Sequence, residues 1–202
     1  MFCRPRSGRR LKGVVPIGKY IYLIVGESGS GKSTLAELLC HNRGMRQLWS
    51  YTTRPKRSAS EAGHIFVSSF DSTTPCAAYT KFNGYEYWAT PEQVERADVY
   101  VIDPAGLEWM LKFYRGNKIP VVIFVDVTRR NRKRRMRKRG DSRQQIRDRL
   151  QHDELAFRDF RRRILRCDTR FRFVTIDNNG SDGGERLLDA VDALEDSNEN
   201  PA

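Results

Sequence analysis

Apolar and polar positions alternate along this chain in blocks of two kinds. Residues 20–25, Tyr-Ile-Tyr-Leu-Ile-Val, are apolar throughout and rich in β-branched and aromatic side chains. Such an unbroken run reads as a strand buried on both faces, as in a parallel sheet. Runs at 99–102, 120–125 and 171–176 predict further strands, and 45–49 is a second-strand candidate. Helical stretches are predicted from 34–39, where a helix takes its first turns, and over 104–114, 129–139, 144–165 and 185–194. Strands alternating with helices imply an α/β fold, a parallel sheet flanked by helices on both faces.

Residues 50–94 break this rhythm. They hold three short aromatic and β-branched pieces, 64–67, 78–82 and 85–88, with Gly84 at a turn between the last two. This predicts an inserted, mostly β subdomain, with Tyr79, Phe82, Tyr85, Tyr87 and Trp88 as its core and pocket wall.

Charge narrows the choice of partner. The 202 residues carry 37 Lys and Arg against 25 Asp and Glu, a net charge of +12 that favours an anion. From 129 to 139, nine of eleven residues are Lys or Arg, which by default is a solvated helix face. The first 19 residues are basic, without an acid and without the apolar stretch of a secretory signal, and read as a disordered basic tail. No apolar run is long enough to span a membrane. Cys3, Cys40, Cys76 and Cys167 have no metal-ligand spacing and read as reduced thiols of a cytoplasmic protein. His41, His64 and His152 are isolated in sequence and read as surface or packed residues.

One segment carries chemistry on its own. Gly26-Glu27-Ser28-Gly29-Ser30-Gly31-Lys32-Ser33 fits the P-loop pattern, and Thr34 follows it. Its glycines let backbone N–H groups approach phosphate oxygens, and the following helix turns its positive end to the same anion. Lys32 can reach the β- and γ-phosphates of ATP, and the Ser33 hydroxyl can ligate Mg²⁺. The pattern identifies a triphosphate site, not a reaction. A second segment, Ser50-Tyr51-Thr52-Thr53-Arg54-Pro55-Lys56-Arg57, places two arginines three apart around a proline. Their planar forks can converge on one phosphate. The plain alternative is an exposed basic loop.

With these segments in order, residues 20–194 resemble the guanylate kinase family. The resemblance rests on the loop 26–34, the Ser50-to-Arg57 segment, and Gly63-His64-Ile65-Phe66-Val67-Ser68. It continues through Phe82-Asn83-Gly84-Tyr85-Glu86-Tyr87, Tyr100-Val101-Ile102-Asp103, Arg135-to-Gly140 and Ile146-to-Leu150. It implies a P-loop fold with a core at 20–49 and 98–195, a β-rich acceptor-binding insertion at about 50–97, and a helical lid at about 129–149. Residues 1–19 and 196–202 are then tails, the second frayed. The family pattern gives Ser50, Arg54, Arg57 and Tyr87 the phosphate of a nucleoside monophosphate, with Asp103 also at the acceptor. It gives Arg135, Arg139 and Arg149 the transferring phosphoryl group. Arg135 and Arg139 are four apart and are expected to share a helix face.

The departures lie where the family reads guanine. Its glutamate matches Ala78, its serine or threonine matches Ala89 with Thr90 beside it, a tyrosine is replaced near His64, and its first strand aspartate matches Val101. Glu86 and His64 are candidate substitutes. The expected reaction is ATP- and Mg²⁺-dependent phosphorylation of a nucleoside monophosphate, GMP or dGMP first, with altered or relaxed base choice. Alternatives are a kinase for a phosphorylated sugar and a non-catalytic interaction module of the same fold, although such modules typically lose the loop that Lys32 and Ser33 preserve here. Nucleic acid is suggested by charge alone, without a stacking surface of recognised spacing. A monomer or homodimer is expected.

Overall fold

The computed structural model describes residues 18–56, 59, 61–166 and 171–199. In chain order these form β1 (Tyr20–Val25), α1 (Lys32–Arg43), β2 (Ser50–Thr52), β3 (His64–Phe66), β4 (Ala78–Phe82), β5 (Tyr85–Ala89), α2 (Pro91–Arg96) and β6 (Val99–Val101). There follow α3 (Pro104–Phe113), β7 (Ile119–Asp126), α4 (Arg129–Lys138), α5 (Arg143–Ala156), α6 (Phe160–Leu165), β8 (Arg172–Asp177) and α7 (Gly183–Glu199). Most of the basic tail, Cys3, Arg57, Cys167 and residues 200–202 lie outside the described residues.

The main sheet runs β6-β1-β7-β8, parallel throughout. Every residue of β1 is at most 1% exposed, as its apolar sequence requires. Because successive side chains alternate, Ile21, Leu23 and Val25 enter one core with Leu107, Met110 and Ile164. Tyr20, Tyr22 and Ile24 enter another with Leu35, Leu39, Leu187 and Val191. Helices α3 and α6 thus cover one face, and α1 and α7 the other. Full burial of each large side chain stabilises by about 1.5–3 kcal/mol, so this strand is a firm anchor for the loop at its C-terminal end. Among the described residues, no helix is long and apolar enough to cross a membrane.

The second sheet runs β3-β2-β5-β4 and is mixed, with β2 and β3 parallel and the other pairs antiparallel. Its outer face is tied to α3 by a ladder of rings, Phe113, Trp109, Tyr79, Phe70, Trp88 and Tyr51, with successive centroids 4.8–5.4 Å apart. This ladder fixes the opposite face of the small sheet toward the main sheet.

Three elements differ from the sequence reading. Residues 45–49 form no strand but one bridge, Gln47 to Val99, at the free edge of β6. That segment is held by Asp98, whose carboxylate accepts from Arg46 at 2.9 Å and from buried Lys118 at 3.0 Å. The helix expected over 144–165 breaks between α5 and α6, where Asp159 adopts φ 54°. The break lets Phe157 and Phe160 both pack on Phe124, at 6.1 and 5.6 Å. Finally, α7 extends to Glu199, through residues expected to fray.

Candidate functional site

The buried end of β1 delivers the chain to a loop, 26–31, that turns directly into α1. Gly29 and Gly31 take φ values of 77° and 96°, a region costly for side chains other than glycine. A Cβ on Gly29 would also lie 2.9 Å from the Arg132 carbonyl, and one on Gly31 2.8 Å from Asn178 Nδ2. The first turn of α1 leaves N–H groups without intrahelical acceptors, at the positive end of the helix dipole. Lys32 Nζ lies back along the loop, donating to the Gly26 and Glu27 carbonyls at 2.6 and 3.1 Å. Burial pushes this ammonium down to about 8, against the opposing pull of the Asp153 charge. Ser30 Oγ is fully buried and has no hydrogen-bond partner. Ser33 and Thr34 are exposed in the first turn.

A cleft of about 910 Å³ opens from this loop toward the small sheet. Gly26, Ser28 and Lys32 line one end; Ser50, His64 and Tyr87 line the other; Asp103 and Arg149 stand in its walls. Lys32, Ser50, Tyr87, Asp103 and Arg149, all singled out in the sequence, therefore meet in one cavity. Asp103 caps α3, its Oδ1 accepting from Ala105 and Gly106 N–H at 2.9 and 3.0 Å. Solvent reaches Asp103 through the cleft, yet the protein mass around it raises its carboxyl above the usual range.

Other singled-out arginines stand outside the cleft lining. Arg54 is 9% exposed and forks onto Glu61, at 2.7 and 3.2 Å, over the ring of Phe66. Arg135 donates to the Ser30 and Asn178 carbonyls at 2.9 and 2.5 Å, so it grips the loop from its back. Arg139, at the C-cap of α4, forks onto Asp141 at 3.0 and 2.6 Å, and Arg149 approaches the same carboxylate at 3.5 Å. The i, i+4 spacing of Arg135 and Arg139 thus leads to two different partners.

At the sheet end, Ser50 Oγ and His64 Nδ1 are 3.0 Å apart, and the His64 ring stands edge-on to Tyr87 at 5.7 Å. The register pairs Ala78 with Ala89 and Thr80 with Tyr87 on the face turned to the cleft. Ala78 and Ala89 are 1% and 0% exposed and belong to the apolar core. Glu86 is on the other face, where it accepts from Tyr79 Oη at 3.1 Å, and the Thr90 hydroxyl caps α2 by accepting from Gln93 N–H. Of the two candidate substitutes, Glu86 is therefore turned away from the cleft and His64 lines it, and Thr90 is committed to its cap.

Residues that the sequence reading passed over complete the site. Arg132, within the basic run assigned to solvent, is 5% exposed and pairs with Glu27 at 2.8 Å and with Asp153 at 3.1 Å. Asp153 also accepts from Ser28 N–H and Oγ–H at 2.8 and 3.0 Å. Their one sequence signal was the 3.6-residue spacing of Arg132 with Met136 and of Asp153 with Leu150 and Ile146, all buried. Among the described residues, no three His, Cys, Asp or Glu converge as a metal cage. Mg²⁺ does not need one, since it keeps waters and takes phosphate oxygens beside one or two protein ligands, and the loop with its exposed Ser33 hydroxyl fits that donor set.

The fold has a known counterpart. The guanylate kinase of Anaplasma phagocytophilum superposes with a TM-score of 0.51 at 15% identity, covering 88% of this chain and 86% of that one. An uncharacterized protein from Eubacterium ventriosum aligns over 87% of this chain and 99% of its own, at 14% identity and a TM-score of 0.44. No protein-family profile and no curated protein matches the sequence. The first of these structures relates the two chains distantly, through the fold.

Proposed function

We propose that this protein transfers the γ-phosphoryl group of ATP to a nucleoside monophosphate, with GMP and dGMP the first acceptors to try. The observation that carries the reading is the continuity of one cleft from Lys32 to Ser50 and Tyr87. Phosphoryl transfer asks for little covalent help; it needs two phosphates held close together amid positive charge. In this reading loop 26–34 cradles the ATP phosphates, and Lys32 turns from its carbonyls to the β- and γ-phosphates. Ser50 and Tyr87 hold the acceptor phosphate, together with Arg57 and with Arg54 once its fork leaves Glu61. Arg149 faces the transferring group from α5, and Arg139, sharing Asp141 with it, joins it when that carboxylate is released. Arg135 acts on the loop through the Ser30 carbonyl. Ser33 would hold Mg²⁺, which neutralises charge on the phosphates when bound.

A second reading has a specific observation behind it. Ala78 and Ala89 present no polar group and no open surface to a base, so a phosphorylated sugar is a competing acceptor. Coupled ADP release from MgATP, screened across monophosphates and phosphorylated sugars with an acceptor-free control, decides between them. Release above the control only with sugar phosphates replaces the first reading, and release with no acceptor of either class removes both.

A further inference from the structure

Four consecutive residues of the phosphate loop are each met by the α4–α5 hairpin. Glu27 pairs with Arg132, and Ser28 gives both its N–H and its hydroxyl to Asp153. Gly29 lies against the Arg132 carbonyl so closely that a methyl would stand 2.9 Å from it, and the Ser30 carbonyl takes Arg135. Arg132 joins the two halves of the hairpin, since its Nη1 reaches Asp153 of α5 from its own place on α4. Both side chains are 6% exposed.

We propose that Arg132 and Asp153 are positioning residues, a joint that fixes the root of the hairpin to the phosphate loop so that Arg149 is presented to the cleft. The inference rests on the phosphoryl-transfer reading for its effect on rate, but not for its effect on order in the hairpin. Asp153 lies four residues after Arg149 on α5, so one face of that helix carries both the anchor and the cleft-lining arginine. A buried ion pair is a poor source of stability, because desolvation offsets attraction, and its best-attested use is to fix one arrangement among several. The apolar contacts of the hairpin, Met136 with Ile146 and Leu150, pack α4 on α5 but are not directional. The charges supply the register with respect to loop 26–31. In this view the hairpin is not a flap free at its base, and any closing motion lies beyond the joint, toward residues 139–149.

The test compares wild type with Asp153→Asn, which keeps an acceptor for Ser28, and with Arg132→Met/Asp153→Leu, which keeps the packing but removes the tie. Three readouts are taken: amide hydrogen exchange of 143–156 without nucleotide, affinity for a fluorescent ATP analogue, and kcat and KM with the best acceptor. The double variant should stay folded, exchange α5 amides at least about tenfold faster, and lose about tenfold or more in kcat with acceptor KM changed less. Asp153→Asn should fall between it and wild type, and carries the test if the double variant does not fold. Exchange and kcat within about twofold of wild type in the folded double variant overturn the joint. Faster exchange in a protein that phosphorylates no acceptor upholds the joint and removes the kinase reading instead.

Discussion

The imidazole ring of His152 on α5 stands edge-on to the ring of Phe82 on β4, with centroids 4.5 Å apart. The two residues belong to opposite banks of the cleft, so this contact closes the small sheet against the basic hairpin. Phe82 is 39% exposed and is not part of the buried core. Phe82→Ala should therefore leave Tm nearly unchanged while raising the acceptor KM about tenfold and lowering kcat, because a misplaced acceptor loses rate as well as affinity. Steady-state kinetics with saturating MgATP check this; an unchanged acceptor KM places the contact outside the working site.

On the proposed function, Lys32 would link phosphoryl transfer to a cost in stability. Its ammonium is lowered from 10.5 to about 8 by burial. Between those values the unfolded chain holds a proton that the folded one lacks, so stability rises with pH across that window. Below pH 8 the buried charge costs on the order of 3 kcal/mol. Lys32→Met should abolish phosphoryl transfer, raise Tm at neutral pH, and remove the rise in Tm between pH 8 and 10. Thermal melts at both ends of the window measure it.

On the proposed function, the same lysine should give nucleotide binding a pH dependence. A triphosphate stabilises the ammonium, so the bound form takes up a proton wherever the free form has lost it. Affinity for MgATP should be full below about pH 8 and weaken above it, approaching tenfold for each further pH unit. Titration calorimetry in two buffers of different ionisation enthalpy measures the proton uptake directly. A flat affinity from pH 7 to 10 would mean that Lys32 stays with the Gly26 and Glu27 carbonyls.

Base choice should be weak. Ala78 and Ala89 offer guanine neither a carboxylate for its N1–H and N2 donors nor a hydroxyl for O6, and Glu86 and Thr90 are committed elsewhere. An unpaired buried polar group costs about 1–3 kcal/mol, so the advantage of GMP over other monophosphates should shrink. Comparing kcat/KM for GMP, dGMP, AMP, dAMP, CMP, UMP and dTMP tests this; a preference for GMP of about several thousandfold, beyond what such a loss permits, would refute it.

Asp98 governs stability at the edge of the main sheet. Burial works against its charge, but bonds from Arg46 and Lys118 outweigh it and hold the carboxyl below the usual range. Its contribution is present above the ordinary value of 3.8 and is lost as pH falls through the lower folded value. Asp98→Ala leaves Lys118, 2% exposed, without its carboxylate and should cost roughly 3–5 kcal/mol, read by urea unfolding.

The sequence by itself determined the main strands, the loop and the helix after it, because each is a local pattern: an apolar run, glycines at fixed spacing, a lysine at a fixed place. Residues 20–25 read as a doubly buried strand, and 78–82 and 85–88 as short aromatic and β-branched pieces with a turn at Gly84. Tertiary structure decided what no local pattern encodes. Residues 45–49 run beside β6 as a single bridge because Asp98, about 50 residues away in sequence, binds Arg46. The helix after Ser142 breaks because two phenylalanines must reach Phe124. Within a stretch where nine of eleven residues are Lys or Arg, only the spacing to Met136 sets Arg132 apart from its neighbours. It is buried because the hairpin brings it between Glu27 and Asp153, and only two carboxylates from distant segments make an interior place tolerable for a guanidinium.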